Sequence, residues 1–286
     1  MHVAQSMNSA VHHYPAPAKL NLMLRVVGRR ADGYHQLQTV FRFIDHGDTV
    51  TIAVREDGSI ARTRDIPDVA AEADLAIRAA RLLQQATGCR LGADIAVEKR
   101  IPMGGGLGGG SSDAATVLLA LNRLWKTGLS REALSKLALT LGADVPVFVF
   151  GRSAFAEGVG ERLRPVDLPP AWYVVLTPRV AVPTARVFAH PDLKRDSEPI
   201  RIQRFSAGPG GNDLQSVVCG EYPEVARHLA CLEQQAPAMM TGSGASVFAA
   251  FGSEQQARAV LARLPPDMSG FAAAGLDRHP LHHLAD

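Results

Sequence analysis

Six glycines within seven residues, Gly104 to Gly110, constrain this chain more than any other feature of its sequence. They lie between a strand predicted over residues 92–98, where apolar and polar residues alternate, and a helix whose apolar residues share one face. A glycine backbone can adopt positive φ angles and approach a ligand closely, and N–H groups before a helix attract anions. The segment therefore predicts a phosphate-binding loop. A purely structural loop is the weaker alternative, because so many glycines cost conformational entropy on folding.

Two common nucleotide-binding motifs do not account for this loop. Gly104-x-Gly106-x-x-Gly109 formally matches the dinucleotide fingerprint, but a Rossmann unit needs a second strand where this sequence predicts a helix over residues 130–141. A Walker A loop is excluded because no Gly-Lys-Ser or Gly-Lys-Thr occurs anywhere in the chain. The sequence thus predicts phosphate binding on a different architecture.

The composition limits the classes of protein to consider. With 286 residues, 47% of them apolar, the chain is long enough for two domains with substantial cores. A net charge of +2 argues against a nucleic-acid-binding face or a polybasic membrane patch, and no apolar run approaches the roughly 18 residues of a membrane span. Three scattered cysteines suit a reducing compartment, so we expect a cytoplasmic protein without a metal site. Residues 1–17 are expected to be a floppy start.

Predicted strands and helices alternate irregularly, which favours an α+β fold over a doubly wound sheet. Asp74 and Gly88 bound one predicted helix as cap and stop, and Ser130 and Gly142 bound another. Strands are predicted at residues 20–27, 39–44, 49–54, 92–98, 172–176, 246–251 and 270–276, with a short buried strand or strand-like segment at 145–150. Further helices are predicted at residues 114–124, from 184 onward, and at 212–218, 223–232 and 257–264.

Three further positions stand out beside the glycine loop. Lys19 lies at the start of an apolar strand, in Pro17-Ala18-Lys19-Leu20-Asn21-Leu22, and Asp144 lies between a helix stop and an apolar run. Thr241-Gly242-Ser243-Gly244-Ala245-Ser246 is a second glycine-rich turn before a strand. Each has an ordinary explanation when considered alone: a solvated lysine, an aspartate that caps a turn, and a hairpin loop.

Taken together and in this order, the segments at residues 17–22, 102–112 and 241–246 resemble the three motifs of the GHMP kinases, a superfamily of small-molecule kinases. A closer match is carried by Gly28 to Thr39, which contains Arg-Ala-Asp-Gly-Tyr-His, and by Leu141 to Phe148. These two segments are similar to the branch of the superfamily that phosphorylates 4-diphosphocytidyl-2-C-methyl-D-erythritol. The resemblance covers nearly the whole chain.

The resemblance implies a two-domain α+β GHMP kinase fold. Residues 1–160 would form a ribosomal-protein-S5-domain-2-like N-terminal domain, and residues 161–286 a ferredoxin-like C-terminal domain. It also implies an enzyme that uses ATP with Mg²⁺ to phosphorylate the 2-hydroxyl of a small-molecule substrate with a cytidine diphosphate moiety, in the non-mevalonate route to isoprenoid precursors. No nucleic-acid or membrane partner is expected. Three alternatives are another small-alcohol kinase of the superfamily, a catalytically silent nucleotide-binding regulator and an NAD-dependent oxidoreductase.

The resemblance assigns the chemistry to Asp144 and Lys19. Asp144 matches the catalytic base, which takes the proton from the acceptor alcohol. Lys19 lies beside it, where a cation can keep the carboxylate ionised and steady developing negative charge. The loop matches the segment that wraps the ATP phosphates. The residues implied to bind ATP are Pro102, Gly104, Gly105, Gly106, Leu107, Gly108, Gly109, Gly110, Ser111 and Ser112.

The resemblance also implies a substrate site. Asn21 would help to hold the acceptor alcohol. Tyr34, His35 and Phe188 match positions around the cytosine, where two aromatic rings can sandwich the base and His35 can satisfy its hydrogen-bonding edge, and Thr184 would lie beside the pyrimidine or its ribose.

The chain departs from the family pattern at Asp74 and Asp113. Family members often have asparagine at both positions, which match residues near the adenine nucleotide. An asparagine amide donates and accepts hydrogen bonds, whereas a carboxylate only accepts them. The contacts to adenosine are therefore expected to differ from the family pattern, and those of the phosphate loop are not.

Overall fold

The structure, a computed structural model, describes residues 10–31, 33–202, 205 and 210–285. Its strands are β1 (Val11–Arg29), β2 (His35–Arg55), β3 (Ile60–Arg62), β4 (Gly92–Glu98), β5 (Ala154–Gly158), β6 (Arg162–Pro165), β7 (Trp172–Leu176), β8 (Ala238–Met240), β9 (Val247–Phe251) and β10 (Gly270–Leu276). Its helices are α1 (Leu75–Thr87), α2 (Gly109–Leu124), α3 (Arg131–Leu141), α4 (Val145–Phe150), α5 (Thr184–Ala189), α6 (Gln215–Glu221), α7 (Pro223–Glu233) and α8 (Glu254–Leu261). A short 3-10 helix follows at His282–Ala285.

β1 and β2 form a long antiparallel hairpin that supports the first half of the fold. The two strands pair along nearly their whole lengths, and β4 and β5 pair with the same strand β2. The prediction of a floppy start is wrong for residues 11–17, which belong to β1. The strands predicted at 39–44 and 49–54 are two parts of the single strand β2. Both differences arise because backbone hydrogen bonds between strands do not require an apolar run.

Helices α1 to α4 pack together around the first hydrophobic core. α2 lies at its centre and is buried along most of its length, in agreement with its predicted apolar face. The predicted ends of α1 and α3 are confirmed. Asp74 and Ser130 cap these helices by accepting hydrogen bonds from the backbone N–H groups of Ala76 and Ala133, and Gly88 ends α1 with a φ of +65°.

Residues 145–150 form helix α4, not the predicted buried strand or strand-like segment. Pro146 lies in the first turn of α4, where its missing N–H costs nothing, and Gly151 ends the helix with a φ of +73°. α4 is buried against α2 and α3. A short apolar run buried on all sides has no periodicity that distinguishes a strand from a helix. The consequence is that Asp144 lies at the N-cap position of a buried helix.

A second antiparallel group of strands, in the order β8, β9, β7 and β10, packs against helices α6 to α8. The end of β10 pairs with β2, where Leu276 lies opposite Phe43, so that a single ten-stranded sheet runs through the molecule. A further core cluster joins Leu20 of β1, Leu107 of the glycine loop and Phe248 of β9. This cluster holds together the three chain segments with the sequence motifs. The division into residues 1–160 and 161–286 stays a prediction.

None of the described helices combines the length and the apolar composition that a membrane crossing requires.

Candidate active site

The buried ammonium group of Lys19 lies where three segments of the chain meet. Its Nζ atom donates to Asn21 Oδ1 at 2.6 Å and to the carbonyl oxygen of Gly106 at 3.0 Å, and it lies 3.1 Å from Asp144 Oδ2. Lys19 is only 2% exposed, whereas the side chain of Asp144 is 37% exposed. The ammonium is thus satisfied by protein oxygens, and the carboxylate beside it remains accessible.

Asn21 is held in one orientation by its neighbours. Its Nδ2 donates to Thr39 Oγ1 at 2.8 Å, and that hydroxyl donates in turn to the carbonyl of Met23 at 2.6 Å. The backbone N–H of Asn21 donates to Thr241 Oγ1 at 2.9 Å. The side-chain oxygen of Asn21 therefore faces Lys19. Thr39 was not predicted, because nothing in a strand threonine indicates that it orients an amide on the neighbouring strand.

The glycine loop touches both Lys19 and the second glycine-rich turn. The backbone N–H of Lys19 donates to the carbonyl of Leu107 at 3.0 Å. Gly106 has a φ of +72°, and a Cβ atom there would lie 2.3 Å from the carbonyl oxygen of Thr241. The N–H of Ser246 donates to the carbonyl of Gly105 at 3.2 Å. Several of the glycines thus permit a close approach between protein segments, in addition to any role with phosphate.

Three adjoining cavities surround this contact. The central cavity, about 350 Å³, is lined by Lys19, Asn21, Asp144 and parts of both glycine-rich segments. The nucleotide-side cavity, about 370 Å³, lies along the rest of the glycine loop and shares Ser111 and several glycines with the central one. The third, about 550 Å³, is lined by residues around His35 and is called the His35 cavity. A ligand could therefore extend across Asp144 from one side to the other.

Of the residues predicted to bind ATP, Pro102 and the loop residues from Gly104 to Ser111 all line the nucleotide-side cavity. Ser112 does not. Its side chain is fully buried and its hydroxyl donates to the carbonyl of Pro17 at 2.7 Å. Ser112 thus anchors the start of α2 to β1.

The aromatic residues of the predicted substrate site line the His35 cavity. The rings of His35 and Phe188 are stacked, with centroids 5.0 Å apart and planes 28° apart. Tyr34 lines the same cavity and is 66% exposed, so the stacked pair differs from the expected sandwich of Tyr34 and Phe188. Thr184 also lines this cavity, and its hydroxyl lies 2.7 Å from Ser243 Oγ. Asp32, part of the motif next to Tyr34, lies outside the described residues.

His35 has a partner that the sequence analysis missed. Arg195 Nε donates to His35 Nε2 at 3.2 Å. Burial, and then the positive charges of Arg195 and Arg29, lower the pKa of His35 below its usual value. Arg195 lies in a stretch of sequence without clear periodicity, so no local pattern connects it to a residue 160 positions earlier.

A cluster of charged side chains lies beside the nucleotide-side cavity. Lys99 forms ion pairs with Asp48 and, at 2.8 Å, with Asp113. Asp48 also accepts hydrogen bonds from the N–H groups of Arg100 and Ile101, which fixes the segment that enters the glycine loop. Burial raises the pKa of Asp113 to about 7; the charge of Lys99 opposes this shift and that of Asp48 adds to it. Lys99 was missed, although its position just before the loop was a usable signal.

Asp74 and Asp113, the two departures from the family pattern, both line the nucleotide-side cavity. Each keeps one buried carboxylate oxygen without a hydrogen bond from the described residues, Oδ2 of Asp74 and Oδ1 of Asp113. The other oxygens cap α1 and bind Lys99, respectively. Asp74 Oδ2 also lies 3.6 Å from Arg62 Nη1 in a buried ion pair. Both residues therefore serve the protein's own structure.

Comparisons with known proteins identify the family of this chain. Residues 74–152 match the family model described as "GHMP kinases N terminal domain", and residues 191–268 match the one described as "GHMP kinases C terminal". The fold and the cavities around the glycine loop therefore define a small-molecule phosphotransferase of the GHMP kinase class.

Relatives and solved structures narrow this class. The chain is 62% identical to the 4-diphosphocytidyl-2-C-methyl-D-erythritol kinase of Thiobacillus denitrificans, over 94% of this chain and 97% of the relative. It is 60% identical to the protein of that name in Aromatoleum aromaticum, over 93% and 94%. A crystal structure of 4-(cytidine 5'-diphospho)-2C-methyl-D-erythritol kinase superposes with a TM-score of 0.78 at 37% identity, covering 92% of this chain and 99% of that one. The chain belongs to the GHMP kinase family and, within it, to the group of 4-diphosphocytidyl-2-C-methyl-D-erythritol kinases.

The fold is shared more widely than this group. The mevalonate kinase of Methanococcus jannaschii superposes with a TM-score of 0.64 at 14% identity, over 95% of this chain and 99% of that one. At such low identity the likeness concerns the fold alone.

We expect Gly108→Ala to lower kcat/KM by about 5- to 150-fold, the equivalent of about 1–3 kcal/mol of overpacking. The added Cβ would lie 3.1 Å from Cε of Lys19, and the φ of Gly108 is +74°. Gly104→Ala is the matched control, because its φ of +69° imposes similar backbone strain but no atom lies within 4 Å of the added Cβ. Steady-state kinetics of both variants test this. Equal losses would show that strain, and not the contact with Lys19, causes the effect.

Asp113 is expected to make the stability depend on pH. Its pKa is about 7 in the folded protein and near 3.8 in the unfolded chain, so unfolding releases a proton between these values. The free energy of unfolding therefore falls as pH rises from about 4 to about 7. The Asp113→Asn variant should not show the part of this decrease that Asp113 causes. Urea unfolding at several pH values measures it, with exposed Asp167→Asn as the control. Parallel curves for wild type and Asp113→Asn would contradict the expectation.

Proposed function

We propose that this chain transfers the γ-phosphoryl group of ATP to the 2-hydroxyl of 4-diphosphocytidyl-2-C-methyl-D-erythritol, in the non-mevalonate route to isoprenoid precursors. The observation that carries the proposal is the accessible Asp144 carboxylate, 3.1 Å from Lys19 Nζ, in a cavity that adjoins a glycine loop on one side and an aromatic cavity on the other. The names of the relatives support the choice of substrate.

The phosphates of ATP are proposed to bind along the glycine loop. Six glycines leave the backbone N–H groups accessible, and the loop leads into the 16-residue helix α2, whose N-terminus favours negative charge. Asp74 and Asp113 would lie on the nucleoside side of the loop, since both line the same cavity. A carboxylate acceptor suits hydroxyl or amino groups of a nucleoside.

Mg²⁺ is proposed to accompany the nucleotide. In kinases this ion is usually held by phosphate oxygens and water with one or two protein oxygens, so a dedicated cage of carboxylates is not needed. The residues present fit that arrangement. The described residues contain no group of three or more His, Cys, Asp or Glu side chains suited to a metal. Ser111, in the first turn of α2, lines both the central and the nucleotide-side cavity. Ser111 would hold the ion through its hydroxyl group, and the ion would neutralise negative charge on the phosphates.

Asp144 is proposed to act as the general base. An alcohol is a weak nucleophile, and a carboxylate that accepts its proton as the bond to phosphorus forms lowers the barrier. Lys19 has one role in this proposal. Its ammonium group lies between the Asp144 carboxylate and the Gly106 carbonyl of the glycine loop, where it would stabilise the negative charge that develops during transfer. Asn21 orients Lys19, because both its side-chain atoms are hydrogen-bonded within the protein.

The cytosine is proposed to occupy the His35 cavity. The Phe188 ring offers an aromatic face, His35 offers its Nδ1 atom, and Thr184 lies at the start of α5 on the wall shared with the central cavity. Tyr34, which lines the same cavity, can cover the base from the solvent side. Binding energy from the base would then position the hydroxyl at Asp144.

Asp144→Asn tests the chemistry. We expect kcat to fall by about 10²- to 10⁴-fold, because the amide cannot take the proton, while the protein still folds and binds ATP. Steady-state kinetics and calorimetric ATP titration measure these quantities. Asp167→Asn, which removes an exposed carboxylate elsewhere, is the control. A near wild-type kcat for Asp144→Asn would remove this residue from the mechanism.

The substrate is tested by comparing free methylerythritol with its cytidine diphosphate conjugate as acceptors. Stacking of a base on an aromatic ring contributes about 1–3 kcal/mol, or about 5- to 150-fold in binding. We therefore expect kcat/KM for the conjugate to exceed that for free methylerythritol by at least this factor in an ADP-release assay. If the two acceptors gave equal values, the protein would be a general small-alcohol kinase.

A further inference from the structure

We propose that Arg195 is a positioning residue that fixes which hydrogen-bonding group His35 presents, so that the His35 cavity accepts a cytosine base and rejects uracil. The inference rests on the proposed function, and it adds the residue and the physical means by which one pyrimidine is selected over the other.

The guanidinium group of Arg195 is anchored on all of its nitrogen atoms. Its terminal nitrogen atoms donate to the carbonyl oxygens of Phe188 at 2.9 Å, His190 at 2.8 Å and Leu193 at 2.9 Å, which lie at the end of α5 and in the turn that follows. The remaining nitrogen, Nε, donates to His35 Nε2 at 3.2 Å. Arg195 therefore couples the segment that carries Phe188 to the imidazole stacked on it.

This hydrogen bond determines the tautomer of His35. A guanidinium group can only donate, so the nitrogen that it contacts must carry a lone pair and no hydrogen. The neutral ring then carries its single hydrogen on Nδ1. Burial and the charges of Arg195 and Arg29, the two cationic groups that act on His35, lower its pKa and disfavour the doubly protonated ring. His35 thus has one fixed donor and one occupied acceptor.

The fixed donor is available to a ligand. Among the described residues, none is hydrogen-bonded to His35 Nδ1, and His35 lines the cavity proposed for the base. Stacking on Phe188 holds the plane of the ring. An N–H group held in this way complements a base edge that carries an acceptor.

Cytosine and uracil differ on that edge. N3 of cytosine is an acceptor with a lone pair, whereas N3 of uracil carries a hydrogen and is a donor. An imidazole that could exchange its tautomers would serve both bases, because it could offer either N–H or a lone pair. A ring locked by Arg195 whose Nδ1–H faces N3 of the base favours cytosine, since the N3–H of uracil would oppose that N–H and leave it unpaired in the complex. Such a loss corresponds to about 1–3 kcal/mol, or about 5- to 150-fold in affinity.

The experiment compares the binding of cytidine 5'-diphosphate and uridine 5'-diphosphate by calorimetry, with saturating ADP present to occupy the nucleotide side. The quantity measured is the ratio of the two dissociation constants. We expect the wild type to favour the cytidine nucleotide by about 5- to 150-fold and Arg195→Met to bring the ratio close to one. Arg29→Gln is the matched control, because Arg29 also lowers the pKa of His35 but donates to the Gly33 carbonyl and not to the ring. Arg29→Gln should keep the wild-type ratio of the two dissociation constants, even if both constants change.

Two further measurements keep the test decisive if Arg195→Met fails to fold. His35→Asn leaves Arg195 bonded to its three backbone carbonyls, and an amide can turn either its oxygen or its nitrogen to the base, so the ratio should again approach one. In the wild type, ¹⁵N NMR should show a protonated Nδ1 and an unprotonated Nε2 on His35.

A wild-type ratio retained by Arg195→Met or His35→Asn would overturn the inference, as would a ring protonated on Nε2. A wild type that binds both nucleotides equally would overturn it too, and would in addition remove base recognition from the proposed function. The two failures are therefore distinguishable.

Discussion

The burial of the Lys19 ammonium group is the interaction on which the rest of the site depends. An ammonium group removed from water without partners costs several kcal/mol, so its hydrogens must find acceptors inside the protein. Here the acceptors come from three separate segments: Asn21 on β1, the carbonyl of Gly106 in the glycine loop and Asp144 before α4. A shift of any one segment would leave the charge unpaired. The geometry of the proposed catalytic residues is therefore coupled to the stability of the fold.

The same contact divides the space around Lys19 into two sides. The glycine loop, the turn at residues 241–246 and β1 are held against each other by backbone hydrogen bonds and by a shared apolar cluster. Their junction separates the nucleotide-side cavity from the His35 cavity and leaves only the central one between them. Two ligands that meet at Asp144 would therefore approach from opposite sides. Each side also has its own charged side chains, with Lys99 and Asp113 on one and Arg195 on the other.

Much of the fold and of the site followed from local patterns. The caps of α1 and α3, the strand β4 and the glycine loop were all predicted, because each depends on residues close together in sequence. The failures share a different cause. The helix α4 was predicted as a strand or strand-like segment because an apolar run buried on all sides carries no periodicity. The beginning of β1 was expected to be floppy because its order comes from pairing with β2, more than thirty residues away.

The sequence by itself determined the chemistry that is available: a lysine, a carboxylate and a glycine loop, in the order that resembles one kinase family. Tertiary structure decided how these groups are used. The hydroxyl of Ser112, a residue predicted at the phosphates, donates to the carbonyl of Pro17. Asn21, predicted at the substrate, lines the central cavity and also accepts a hydrogen bond from Lys19. Thr39 and Arg195 act through side chains far away in sequence. A hydrogen bond depends on distances of about 3 Å between atoms that only the packed chain brings together, so no local pattern could assign it.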